Sequence, residues 1–148
     1  MSTTTLTASN TVASSKVDDE SLTVTVNDLA PDECGGITVT NLVVVSGGGT
    51  TFGSFGNDLI LGTAANDNVR ALSGDDCVVT GAGADFVRGN RDDDVLIGGA
   101  GNDNLRGNRE NDLLLGGSGD DDLRGGNNTD VCVGGTGSDT FTSCETQS

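Results

Sequence analysis

From Gly53 to Thr142 the chain repeats a nine-residue pattern of polar turn and apolar segment without a single insertion. The ten units read GSFGNDLIL, GTAANDNVR, ALSGDDCVV, TGAGADFVR, GNRDDDVLI, GGAGNDNLR, GNRENDLLL, GGSGDDDLR, GGNNTDVCV and GGTGSDTFT. Position eight is apolar in all ten: Ile60, Val69, Val78, Val87, Leu96, Leu105, Leu114, Leu123, Cys132 and Phe141. The last three positions alternate out, in, out as a short strand does, so position eight faces an interior. The six positions before them are rich in Gly, Asn and Asp, which favour turns. Self-similarity at a fixed period marks a solenoid. The pattern predicts an all-β fold whose short strands stack about 4.8 Å apart.

Position six is Asp in every unit: Asp58, Asp67, Asp76, Asp85, Asp94, Asp103, Asp112, Asp121, Asp130 and Asp139. Carboxylates stacked at that spacing repel by about 3 kcal/mol per pair at an effective dielectric of 20. A hard divalent cation bound by carboxylate and carbonyl oxygens removes the repulsion. The whole unit resembles GGxGxDxUx, the calcium-binding nonapeptide repeat of the RTX (repeats-in-toxin) family, over about 60% of the chain. That resemblance implies a right-handed parallel β-roll with two repeats per coil, about five coils in all, so that turns on one edge recur every 18 residues with calcium between them. It also implies export, with folding coupled to the calcium-rich exterior.

The 18-residue coil has two unlike edges. Even-numbered repeats keep turns near the family pattern, with polar residues beside the strand, so Asp67, Asp85, Asp103, Asp121 and Asp139 are the firmer ligands. In the odd repeats position four changes to Asp92, Glu110 and Asn128, which places Asp58, Asp76, Asp94, Asp112 and Asp130 second. The repeat region holds 16 acidic residues and 6 Arg, a net of -10. Four divalent ions on the even edge nearly neutralise it, and eight overshoot, so about four to eight Ca2+ are expected. Arg70, Arg88, Arg106 and Arg124 immediately precede odd turns and Arg91 and Arg109 lie within them. They are expected to neutralise part of the odd edge.

The odd strands, LIL, CVV, VLI, LLL and VCV, are apolar at all three positions. A strand of that kind is normally buried on both faces. Something therefore covers the outward residues Leu59, Leu61, Cys77, Val79, Val95, Ile97, Leu113, Leu115, Val131 and Val133. The candidates are the N-terminal segment, a second chain or an apolar ligand surface. Residues 1–20 read as a Ser/Thr-rich flexible arm. Residues 21–52 hold two strand-like stretches, Ser21–Val26 and Ile37–Val45, either capping the first coil or lying across the odd sheet. Residues 143–148 form a short tail. Four Cys without CxxC spacing suggest two disulfides in an oxidising compartment. Cys132 with Cys144 would fold the tail over the end of the roll. Cys34 with Cys77 would pin the N-terminal region to the odd sheet, or else link two chains.

Composition narrows the function. The chain has 148 residues, 24 Gly, one Pro, no His, and a net charge of -16. Nucleic acid is disfavoured because the chain repels phosphate. No apolar run reaches the roughly 20 residues of a membrane span. Triad and imidazole-metal chemistry are excluded without His, so no catalytic residues are assigned. The reading is a non-enzymatic extracellular or cell-surface calcium-binding structural protein. It self-associates into a homo-oligomer or filament through the outward odd-strand residues and N-terminal strands, with matrix or glycan contacts as further partners. The alternative is a monomeric calcium-binding accessory or adhesion module of a larger secreted protein.

Overall fold

The computed structural model describes residues 3–6, 12–15, 30–46 and 49–147. Within the N-terminal arm, Thr3–Leu6 (β1) and Val12–Ser15 (β2) pair antiparallel. The strand expected at 21–26 lies outside the described residues. The described residues from 41 onward form a parallel β-solenoid of about six turns with almost no helix. Its two sheets face each other across a thin core.

The odd sheet contains Asn41–Val44 (β3), Asp58–Leu61 (β5), Cys77–Ala82 (β7), Val95–Ala100 (β9), Leu113–Ser118 (β11), Val131–Thr136 (β13) and Thr146–Gln147 (β15). The even sheet contains Thr50–Phe52 (β4), Asn68–Arg70 (β6), Phe86–Arg88 (β8), Asn104–Asn108 (β10), Asp122–Gly126 (β12) and Thr140–Thr142 (β14). From β5 to β12 each strand pairs with the one 18 residues later, as in Ile60 with Val78 and Leu105 with Leu123, and β13 pairs with β15 fifteen residues later, as in Val131 with Thr146. Position eight therefore forms two facing columns. Ile60, Val78, Leu96, Leu114 and Cys132 meet Val69, Val87, Leu105 and Leu123, all fully buried, and Phe141 packs against this core half-buried. Each such side chain contributes about 1.5–3 kcal/mol.

The roll is one coil longer than the ten repeats require. β3 and β4 carry neither the Asp nor the Gly pattern, yet they extend the two sheets, with Val43 paired to Ile60 and Thr51 to Val69. The strand expected over 37–45 is shorter, at Asn41–Val44. The chain just before it, from Ala30 through a 3-10 turn at Asp32–Cys34 to Val39, crosses the outer face of the odd sheet. There Cys34 and Val39 are buried against Leu59, Leu61 and Cys77, with Ile37 reaching Val95. Both disulfides form within the chain, Cys34–Cys77 and Cys132–Cys144, with Cα separations of 5.8 and 5.9 Å. Between chain ends and core, the segment thus supplies both the cap and the cover that the sequence left as alternatives.

Candidate metal centre

The position-six Asp begins β5 and immediately precedes each later strand of the repeats, and it turns its side chain back into its own turn. Asp58, Asp67, Asp76, Asp85, Asp94, Asp103, Asp112, Asp121 and Asp130 are all buried, and Asp139 at the last turn is half-buried. The structure brings all ten together as two columns, one per edge. Within a column the backbone N–H of each Asp donates to Oδ1 of the Asp 18 residues later. The bonds Asp67 to Asp85, Asp85 to Asp103 and Asp103 to Asp121 measure 2.8, 2.9 and 2.8 Å on the even edge. Asp76 to Asp94, Asp94 to Asp112 and Asp112 to Asp130 measure 3.0, 3.0 and 2.9 Å on the odd edge. At the end of the odd column Glu145 Oε2 accepts the Asp130 N–H at 2.6 Å, standing where an eleventh Asp would.

The second oxygen is the informative one. Oδ2 of Asp76, Asp85, Asp94, Asp103, Asp112, Asp121 and Asp130 is buried with no hydrogen-bond partner. An unpaired buried carboxylate oxygen is costly unless a proton or a cation reaches it. Burial pushes the Asp94 carboxyl up to about 9, Asp112 to about 8, Asp76 to about 7 and Asp103 to about 6. Asp85, Asp121 and Asp130 rise for the same reason, and neighbouring carboxylates add to it. The N–H bonds to Oδ1 pull the other way and do not win.

The surroundings of Oδ2 are oxygen-rich and closely fitted. A Cβ added at Gly98 would run into Asp103 Oδ2 and the Gly116 carbonyl, and one at Gly116 would meet Asp121 Oδ2 and the Gly134 carbonyl. Gly at position one leaves that space to oxygen atoms. Among the described residues no group of three or more His, Cys, Asp or Glu forms a side-chain metal cage. A cation here draws on stacked carboxylates and turn carbonyls, the all-oxygen donor set that suits Ca2+. The residues present fit that ion on both edges.

Position four does not break the odd turns. Asp92, Glu110 and Asn128 adopt φ of +71, +68 and +78°, positive as at Gly74, Gly83, Gly101, Gly119 and Gly137 in the same position. A further column of side chains ties these turns together. Asp75 N–H bonds Asn57 Oδ1 at 3.0 Å, Asn111 N–H bonds Asp93 Oδ1 at 2.9 Å, and Thr129 N–H bonds Asn111 Oδ1 at 3.1 Å.

The Arg residues behave differently from expectation. Arg70, Arg88, Arg106 and Arg124 form a column in register on the even sheet, and no Arg–carboxylate ion pair occurs among the described residues. Strand alternation is the reason: position nine faces outward, on the opposite side of the sheet from the core and away from the acidic turn. Instead Arg88 and Arg106 lie 4.8 and 5.2 Å from the Phe86 ring centre, and Arg106 Nε bonds Asn104 Oδ1 at 2.9 Å.

The outward odd-strand residues divide in two. Leu59, Leu61 and Cys77 are buried beneath the chain's own segment. Val79, Val95, Ile97, Leu113, Leu115 and Val133 are half-buried and Val131 is exposed. A shallow apolar groove runs from Ile37 along Val95, Leu113 and Val131, edged by Asp93, Asn111 and Thr129.

The sequence reading missed Ser54 and Thr63. Ser54 gives its N–H to Asp58 Oδ2 and its hydroxyl to Oδ1, and Thr63 gives its N–H to Asp67 Oδ2 at 2.7 Å and its hydroxyl to both oxygens. A signal existed, since these are the only repeats with Ser or Thr at position two.

No curated protein and no solved structure matches the chain at a significant level. The family profile of the RTX calcium-binding nonapeptide repeat (4 copies) matches residues 52–87, 79–114 and 106–141. Together these cover more than half of the chain. The stacked Asp columns with free Oδ2 atoms agree with that match in position and in chemistry, and the chain belongs to the RTX calcium-binding nonapeptide-repeat family.

Proposed function

We propose that this chain is a non-enzymatic extracellular structural protein, a calcium-stabilised β-roll that associates with further copies of itself. The observation that carries the calcium role is the set of seven buried Oδ2 atoms without a donor. Calcium-filled columns would turn a -16 chain that resists compaction into a stiff rod. The intrachain disulfides support an oxidising exterior as the working compartment.

Self-association is supported by the groove over Val95, Leu113 and Val131, which the chain's own cover reaches only as far as Ile37. A strand or arm of a second copy laid there continues that cover. Such a head-to-tail contact propagates instead of closing. Sedimentation velocity in millimolar calcium and in chelator tests both halves. Calcium is expected to compact the chain and to produce larger species, and Leu113→Glu to keep the compaction while losing the larger species. A compact monomer in both proteins would leave the alternative, a calcium-binding accessory module, which the partial burial of the groove favours. A sedimentation profile indifferent to calcium would remove the calcium reading itself.

A further inference from the structure

The first coil of repeats differs from the rest in backbone conformation at positions two and four, and position two carries the chemical consequence. From the third repeat onward this residue has a left-handed backbone, as at Leu72, Asn90 and Asn108 with φ of +94, +92 and +90° and in the Gly residues of the other repeats. Ser54 and Thr63 do not. Their peptide is turned so that the N–H points at the carboxylate of their own repeat, and their hydroxyls bond the same group. Consequently Oδ2 of Asp58 and Asp67 has a proton donor, whereas Oδ2 of Asp76, Asp85, Asp94 and the later buried members has none.

Two further facts fall in line. The second coil has Ala71 and Thr80 at position one, where all other repeats have Gly. The Thr80 hydroxyl, buried, donates to the Gly98 carbonyl at 2.9 Å, so it engages a turn oxygen that a cation would otherwise draw on. The disulfide from Cys34 and the apolar cover of Leu59 and Leu61 also sit on these same coils.

We infer that the calcium columns begin above the first coil. Ser54 and Thr63 replace the cation at Asp58 and Asp67, and the N-terminal coils form a metal-independent cap on which calcium-dependent coils are laid. This rests on the calcium reading above and assigns its ions along the axis. The cap presents finished strand edges, β5 and β6, as a template for each following turn. Thr80 softens the transition by partly closing the second coil.

Two measurements on the full-length oxidised chain test this. Native mass spectrometry in calcium counts bound ions. Asp58→Asn and Asp67→Asn are expected to leave the count unchanged, and Asp103→Asn to lower it by at least one. Ser54→Gly and Thr63→Gly remove the hydroxyls and allow the left-handed backbone that turns the N–H away in later repeats, and they are expected to raise the count. Equal loss from Asp67→Asn and Asp103→Asn overturns the inference while leaving calcium binding intact; zero ions in the unaltered protein overturns the calcium reading instead. Hydrogen exchange of the unaltered protein needs no variant. In chelator the Thr63 and Asp67 amides should stay protected while the Asp103 and Asp121 amides lose protection by at least tenfold. Uniform loss along the axis would show that no metal-independent cap exists.

Discussion

In the first coil Asp58 and Asp67 receive hydrogen bonds from within their own turns; from Asp76 onward the corresponding oxygen receives none. Both regions bury a column of like charges about 4.8 Å apart, so both need positive partners close by. The N-terminal region meets the need with its own N–H and O–H groups and adds a disulfide and an apolar cover. The later region has no such donor at Oδ2 and leaves the need open to an ion. The same nine-residue unit thus serves as a self-sufficient cap or as a ligand-dependent coil, according to two residues per coil.

The largest expected effect is that of removing calcium. Far-UV circular dichroism in excess chelator should lose most of the β signal contributed by repeats five to ten. Limited proteolysis under the same conditions should leave a resistant piece containing the Cys34–Cys77 link. Cleavage that starts within residues 53–70 instead would invert the comparison. Refilling with millimolar calcium should restore the signal, at the weak affinity usual for extracellular modules, on the order of 10⁻⁴–10⁻³ M.

A smaller effect follows from pH, and its sign differs with the ion. Without calcium the carboxyls of Asp76, Asp94, Asp103 and Asp112 titrate well above their ordinary 3.8, at about 7, 9, 6 and 8. The folded state then holds protons that the unfolded chain releases. Their contribution is fully present below pH 3.8 and is lost as pH rises through about 6 to 9. The calcium-free roll should therefore be more stable at pH 5 than at pH 9, by roughly several kcal/mol. In calcium the order reverses, because protons compete for the ligand oxygens. Denaturant titrations at the two pH values, with and without calcium, give the four stabilities. An unchanged order on adding calcium would mean that the Oδ2 atoms do not bind it.

Much of this was readable from residues alone. Ten Asp and ten apolar residues in frame fix the strands, the core columns and the carboxylate columns, because both periodicities are local and repeat too often to be accidental. The cysteine pairs were suggested by where the strands place Cys77 and Cys132, with Cys34–Cys77 left open as a link within or between chains until the structure closed it within the chain. What escaped has a common cause, long-range geometry. β3 and β4 carry no motif and become strands only because the edges of β5 and β6 offer unpaired backbone groups in register. Arg70, Arg88, Arg106 and Arg124 adjoin the acidic turns along the chain, but the pleat puts them on the outer face, where Arg88 and Arg106 lie beside Phe86 and Arg70 beside Phe52. Ser54 and Thr63 were visible as the only hydroxyls at position two, yet their role depends on the direction of one peptide, which no spacing reveals.

The smallest of these effects concerns the cap itself. Cys34–Cys77 closes a sequence separation of 43 residues, and removing a link of that kind typically costs about 2–5 kcal/mol. The bond packs with Leu59 and Leu61 in the apolar cluster on the outer face of the odd sheet and supplies no ligand oxygen. Cys34→Ser together with Cys77→Ser should accordingly lower stability in chelator by that amount and leave the number of bound calcium ions unaltered. In saturating calcium the same pair of substitutions should cost less in a thermal melt, because later coils held by metal then support the cap from the other side. An equal loss in both conditions would show that the two regions unfold as one unit, and that the division between a self-sufficient cap and ion-dependent coils holds for hydrogen bonding but not for stability.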